Sequence, residues 1–197
     1  METKEALEDV QYLKSLVVHA RGHVAQMAWY LVVWGAVWLV GFLAQAVGLL
    51  SGRHGGDLWA VLVAAGLIAT AAVAFRQVRL AGCPMPFLVR LWLWSGLAVF
   101  GNGAAVLFLA HVMGFLVVTN PWFWGYFSAV WVGAWYMPGG FLFGRGMTIL
   151  GAWLVLLGLG IPLTGLGSPA GPAIMGLLGG GALIATGLLA RRGGSNV

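Results

Sequence analysis

Long uncharged runs constrain this chain more than any other feature of its sequence. From Leu91 to Val118 there is no aspartate, glutamate, lysine or arginine, and similar runs recur along the chain. Only 8% of the 197 residues are charged, whereas a soluble domain carries roughly a quarter. Ten basic and five acidic side chains cannot cover the surface of a soluble protein of this size. We therefore expect most of the surface to contact lipid.

The apolar runs are long enough to cross a bilayer as helices. A membrane-spanning helix needs roughly 17–25 mostly apolar residues, and it satisfies its backbone hydrogen bonds within one segment. Continuous runs without polar alternation favour helices over strands. The sequence therefore predicts an all-α, polytopic transmembrane domain over residues 25–190. The expected spans are six, at about residues 25–50, 58–76, 90–112, 121–138, 146–164 and 171–190.

The positions of the basic residues support six alternating spans. With that count, nine of the ten lysines and arginines fall on one side, and Arg53 alone falls on the other. The nine are Lys4, Lys14, Arg21, Arg76, Arg79, Arg90, Arg145, Arg191 and Arg192. Because loops rich in lysine and arginine remain in the cytoplasm, we expect both termini there and the protein in the plasma membrane. Residues 191–197 would form a short basic cytoplasmic tail.

The first 24 residues differ in kind from the rest. Leu7, Val10, Leu13 and Val17 recur at spacings of three and four, which predicts an amphipathic helix over residues 1–24. Acidic residues crowd its beginning and basic ones its end, an order that complements the helix dipole. Two interpretations remain open. The helix lies on the inner membrane surface, or it docks a protein partner or a second copy of the chain.

Groups for catalysis are scarce. The five acidic residues, Glu2, Glu5, Glu8, Asp9 and Asp57, all lie outside the expected spans. Proton-coupled transport usually needs a carboxylate or histidine at mid-membrane depth, and glycoside hydrolysis needs paired carboxylates. The scattered basic residues do not form a nucleic-acid-binding cluster. We expect no enzyme activity, with a lipid-modifying enzyme as a minor alternative, and no nucleic-acid partner.

The histidines and the single cysteine do not predict a metal site. Cys83 has no second cysteine for an intramolecular disulfide. His19 and His23 share a helix face, but no acid or cysteine near them completes a zinc site. His54 and His111 both fall on the external side, and a haem held between them is the alternative. We expect neither a metal nor a cofactor.

Three polar side chains are expected near the middle of the spans. Asn102, flanked by two glycines, lies near the centre of the third span, Ser128 near that of the fourth, and Thr70 near that of the second. An unpaired amide in hydrocarbon costs several kcal/mol, so Asn102 should find a partner. Two interpretations are open: hydrogen bonds that join helices, or a polar point in a midplane pocket.

Aromatic residues and glycines complete the candidate sites. Trp124, Phe127, Trp131 and Trp135 follow spacings of three, four and four, so they share one face of the fourth span. They either pack against glycines of neighbouring helices or form the wall of a pocket for a flat or apolar ligand, such as a lipid tail, a quinone or a pigment. In the last span, Gly176/Gly180 form a small-xxx-small face for helix packing or homo-oligomerisation.

Taken together, these features favour a non-enzymatic integral membrane protein that acts as a subunit, a scaffold or a ligand-responsive regulator. The alternative is a facilitative carrier or channel for a small neutral or apolar solute. That alternative depends on the matched depths of Asn102 and Ser128 beside the aromatic face.

Overall fold

The computed structural model describes residues 28–48, 55–81, 87–114, 123–166 and 169–195, and within these ranges the chain is helical without strands. Helices α1 to α5 are Ala28–Ala46, Gly55–Ala81, Phe87–Val112, Phe123–Phe143 and Arg145–Leu163. The last helix, α6, is continuous over residues 170–195. It consists of α-helical Ala170–Ile174, π-helical Met175–Gly180 and α-helical Gly181–Ser195. The helix expected over residues 1–24 lies outside the described ranges.

Four of these helices, α1, α2, α5 and α6, are long and apolar enough to cross a membrane. The prediction of an all-α membrane protein is therefore confirmed. Helices α3 and α4 coincide with the third and fourth expected segments. In helix α4, tryptophan, tyrosine and glycine occupy many positions in place of aliphatic residues.

Neighbouring helices run in opposite directions. On α1 and α2, Tyr30 bonds to Gln77, whereas Gly41 lies under the ring of Trp59. In four other pairs of helices, contacts likewise join early residues of one helix to late residues of the other. These pairs are α3 with α4, α4 with α5, α5 with α6, and α6 with α1. The ends of α2, α4 and α6 therefore lie at the same end of the bundle as the beginnings of α1, α3 and α5. We call this the arginine end, because it carries Arg76, Arg145, Arg191 and Arg192.

Helices α4 and α5 form a tight hairpin. A Cβ atom at Gly133 would lie 2.5 Å from the carbonyl oxygen of Gly151, and a Cβ at Gly151 equally close to the carbonyl of Gly133. Further along, a Cβ at Gly158 would meet the backbone of Tyr126 at 2.8 Å. The connection is a single residue, Gly144, whose φ of 92° favours glycine. The two backbones are therefore held in direct contact along most of the hairpin.

The Gly176/Gly180 face packs within the chain. A Cβ at Gly180 would lie 2.7 Å from the backbone nitrogen of Leu39 and 2.8 Å from the carbonyl of Gly35 in α1. A Cβ at Gly176 would lie 3.1 Å from the Cβ of Phe42. Helix α1 therefore covers the face that the sequence analysis offered for oligomerisation, and the glycines here allow two helices to approach closely.

The apolar core lies between α1, α4, α5 and α6. Its most completely buried side chains include Leu154 of α5 and both Met175 and Leu183 of α6. Helices α2 and α3 lie outside this core, where Gly66 of α2 packs against α1 and Gly96 of α3 packs against α4. A four-helix centre with two flanking helices is the frame on which the candidate site is built.

Candidate functional site

The three polar residues expected at mid-depth do not form one hydrogen-bonded cluster in the structure. Asn102 Nδ2 donates to the carbonyl of Ala98 at 2.9 Å, and Ser128 Oγ donates to the carbonyl of Gly125 at 2.8 Å. Each bond lies within one helix, and Asn102 is exposed on α3. Thr70 differs from both, because its Oγ1 is buried and has no hydrogen-bond partner in the described part of the chain.

The aromatic face of α4 packs mainly against α3. The ring of Trp131 covers Gly103, and the ring of Trp135 covers Gly96, two turns away on the same face of α3. Phe127 continues the row, with its ring centroid 4.9 Å from that of Trp131 and 6.3 Å from that of Trp124. For Trp131 and Trp135 the structure thus supports packing against glycines. Of the four residues, Trp135 is the one that also lines a cavity.

That cavity has a volume of about 880 Å³ and lies between five of the helices. Small-molecule pockets in proteins typically measure about 300–1,000 Å³, so this one is large enough for a ligand. Trp34 of α1, Thr70 of α2, Tyr136 of α4, Trp153 of α5 and Thr186 of α6 are among its lining residues. Its walls are mostly apolar, with a few hydroxyl and indole groups among them.

One of these polar groups is left without a partner. The hydroxyl of Thr70 is buried and makes no hydrogen bond in the described ranges, although Thr70 lines the cavity. Leaving a buried hydroxyl unpaired costs about 1–3 kcal/mol. A ligand atom that bonded to Thr70 would remove that cost. Thr70 is therefore the residue from the expected polar set that retains a candidate role in binding.

Two hydrogen bonds fix the walls of the cavity. The hydroxyl of Tyr30 donates to Gln77 Oε1 at 3.0 Å, which ties α1 to α2. The indole Nε1 of Trp153 donates to the carbonyl of Leu178 at 3.1 Å. Leu178 belongs to the π-helical segment Met175–Gly180, and such segments often occur at functional sites. A side chain of the cavity wall is thus bonded directly to the irregular part of α6.

The cavity lies toward the arginine end. Along α6 its lining extends from Ala182 to Ala190, a length of about 12 Å at 1.5 Å per residue. Ile149 and Leu189 line the cavity yet are 68% and 66% exposed, and Gly146 beside them is exposed as well. These three residues mark an opening in the half of the bundle nearest the arginines.

A cation at the arginine end is stacked on an aromatic ring. The guanidinium carbon of Arg191 lies 4.0 Å from the ring centroid of Trp29. Trp29 lies between two lining residues, Ala28 and Tyr30, and Arg191 follows the lining residue Ala190. Stacking on an aromatic face holds the guanidinium plane in place and leaves its N–H edges free to donate.

Of the four histidines, His111 is the one that lies in the described ranges. In the described ranges, no group of three or more histidine, cysteine, aspartate or glutamate side chains could hold a metal ion. His111 lies in the last turn of α3. His19, His23, His54 and Cys83 lie outside the described residues, so the haem alternative through His54 and His111 remains an expectation from the sequence.

Sequence reasoning missed most of the cavity. Its small lining residues, among them Ala28, Ala74, Gly146, Ala182 and Ala190, come from four different helices. Each is an ordinary small residue within its own span. The sequence feature that could have pointed to them is their position near the arginine-bearing ends of the helices. Only the packing of the helices shows that these small residues face one common space.

Comparison with known proteins adds no relative to this description. No family model matches this chain, and comparisons with curated proteins and with solved structures found no match.

Proposed function

We propose that this chain is a non-enzymatic integral membrane protein that binds an apolar small molecule in the cavity between α1, α2, α4, α5 and α6. It would act as a ligand-responsive regulator or as a subunit of a larger assembly. The cavity itself is the observation that supports this: about 880 Å³, apolar walls, and an opening beside Gly146, Ile149 and Leu189. Apolar pockets with a few convergent polar groups are the usual form of small-molecule sites.

The lining supports binding rather than chemistry. The side chains that face the cavity in the described ranges offer hydroxyl, indole and thioether groups but no carboxylate, imidazole, thiol or amine. Acid–base and nucleophilic catalysis depend on such titratable groups. The carrier alternative receives less support, because Asn102 and Ser128, on which it depended, each bond to their own helix.

The proposal includes six membrane spans with both termini in the cytoplasm. The nine-to-one distribution of basic residues supports it, as do the opposite directions of neighbouring helices. The arginine end would then be the cytoplasmic end, and the cavity would open toward the cytoplasmic leaflet. We expect reporter tags fused before Met1 and after Val197 both to be protected from an external protease in intact cells. Digestion of one tag and protection of the other would contradict an even number of spans.

A bulky side chain at the opening should prevent binding. Gly146 lines the cavity, and no atom lies within 4 Å of the place where its Cβ would be, so the backbone tolerates a substitution there. We expect Gly146→Trp to reduce labelling of the purified protein by a neutral alkyl diazirine at least about tenfold, because an indole would occupy the opening. The measurement is the saturable part of the labelling, defined by competition with excess unlabelled decanol.

Gly160 offers a matched control on the same helix. A Cβ at Gly160 also has no neighbour within 4 Å, but Gly160 does not line the cavity. Gly160→Trp should therefore keep saturable labelling at the level of the unaltered protein. An equal loss in both variants would point to a general effect of tryptophan on the protein. The absence of saturable labelling in the unaltered protein would contradict the proposed function.

A further inference from the structure

We propose that the ligand is an amphiphile with an anionic head group, whose apolar part occupies the cavity while Arg145 and Arg191 bind the head. This inference depends on the proposed function and specifies the chemical class of the ligand. It combines the apolar lining of the cavity with the placement of cations at one end of it. Neither feature alone would identify an amphiphile.

Each of the two arginines is close in sequence to residues that line the cavity. Arg145 is the first residue of α5, and it lies between Phe143 and Gly146, both of which line the cavity. Arg191 directly follows the lining residue Ala190. One guanidinium thus comes from the start of α5 and the other from the end of α6. A head group at the opening would have cations on two of the helices that surround it.

Arg191 is already ordered for such a role. Its guanidinium stacks on Trp29 at 4.0 Å, a contact that fixes the plane of the group. Arginine donates through five N–H groups, and it can bind a carboxylate or a phosphate through two parallel hydrogen bonds. Because the aromatic ring covers only a face of the guanidinium, the edge that donates these bonds remains available. Less side-chain freedom is then lost when an anion binds.

No acidic residue of the described ranges can neutralise these cations. Asp57 is the one acid in those ranges, and it lies in the first turn of α2. The lining residue Ala74 is about 26 Å further along that helix at 1.5 Å per residue. The other four acids of the sequence precede residue 10, outside the described ranges. Within the described ranges, the charged side chains at the arginine end are therefore all basic.

The dimensions of the cavity suit the apolar part of an amphiphile. It extends about 12 Å along α6 from Ala190 to Ala182, which is less than half of the hydrocarbon core of about 30 Å. Its volume of about 880 Å³ falls within the range of small-molecule sites. An alkyl chain that enters from the arginine end could therefore lie within the cavity.

Matched probes separate the contribution of the head from that of the chain. A long-chain diazirine fatty acid, the alkyl phosphate of the same chain and the corresponding alcohol would label the full-length protein in uncharged nanodiscs. We expect the two anions to bind about tenfold more tightly than the alcohol, because each arginine adds a modest, salt-sensitive attraction. In the double variant Arg145→Gln/Arg191→Gln, the affinity for the two anions should fall to that for the alcohol. The affinity for the alcohol itself should stay unchanged.

Arg53→Gln is the matched control, because the sequence places Arg53 on the opposite side of the membrane. It removes one positive charge and should leave all three affinities unchanged. Equal binding of anions and alcohol in the unaltered protein would overturn this inference and leave the proposed function intact. Saturable binding of none of the probes would instead overturn the proposed function. An equal effect of Arg53→Gln and the double variant would show that net charge, not the two arginines, attracts the anions.

Discussion

Replacing Gly133 with leucine should unfold the α4–α5 hairpin, with a loss of at least about 3 kcal/mol in the free energy of unfolding. A Cβ at this position would lie 2.5 Å from the carbonyl oxygen of Gly151 and 2.9 Å from the backbone nitrogen of Val155. The obstacle is therefore backbone, which cannot rotate aside as a side chain can. The helices would have to separate, and the one-residue connection at Gly144 prevents them from doing so locally.

Unfolding in a mixed micelle, titrated with a denaturing detergent and followed by tryptophan fluorescence, measures this loss. Gly160→Leu is the control, because a Cβ at Gly160 has no neighbour within 4 Å and the same side chain would lie in open space. It should change the free energy of unfolding by less than about 1 kcal/mol, within the range of helix propensities. Equal stability of the two variants would contradict the direct backbone contact between α4 and α5.

The second large effect is expected at Gly103 on α3. The ring of Trp131 lies against this glycine, so a leucine there would overlap the ring. Trp131 cannot easily move, because its ring is packed against Phe127 at a centroid distance of 4.9 Å. Gly103→Leu should lower the free energy of unfolding by about 2–3 kcal/mol, the range for overpacking a core contact. Loss of the contact between α3 and α4 is the expected structural result.

A control and a compensating change sharpen this test. Gly101 lies two residues earlier on α3, and a Cβ there would have no neighbour within 4 Å. Gly101→Leu should therefore be close to neutral in the same unfolding titration. Combining Gly103→Leu with Trp131→Ala should recover part of the loss, because residues in contact show coupling energies of about 0.5–3 kcal/mol. Strictly additive effects would contradict the contact between Gly103 and Trp131.

The helices themselves could be predicted from the sequence, because lipid allows few alternatives. Every expected segment overlaps a described helix, but the boundaries differ where polar residues or proline occur. The fourth segment was expected to end at Pro138, yet α4 continues to Phe143. Helix-breaking residues are tolerated in membrane helices when neighbours satisfy the freed backbone groups. Beside the proline, Thr148 Oγ1 of α5 donates to the carbonyl of Met137 at 3.2 Å, which ties this part of α4 to α5.

The candidate site was harder to predict, because it depends on which helix faces converge. The spacing of Trp131 and Trp135 shows that they share a face, but it does not show that Gly103 and Gly96 lie opposite them. Their glycine partners are seven residues apart, whereas the tryptophans are four apart, so no sequence pattern pairs them. Thr70 was chosen from the sequence for its expected depth in the membrane, and in the structure it lines a cavity that Asn102 does not line.

The sites that a neutral alkyl diazirine labels on the unaltered protein would test the central claim most directly. Mass spectrometry of the labelled peptides should locate the adducts that are lost in the presence of decanol. We expect them on two of the helices that line the cavity, near residues 146–153 of α5 and 182–190 of α6. Exposed residues such as Ile68 and Phe141 should carry only labelling that decanol does not compete away. Competed adducts spread evenly over such exposed positions, with none on the cavity walls, would contradict a ligand-binding cavity in this protein.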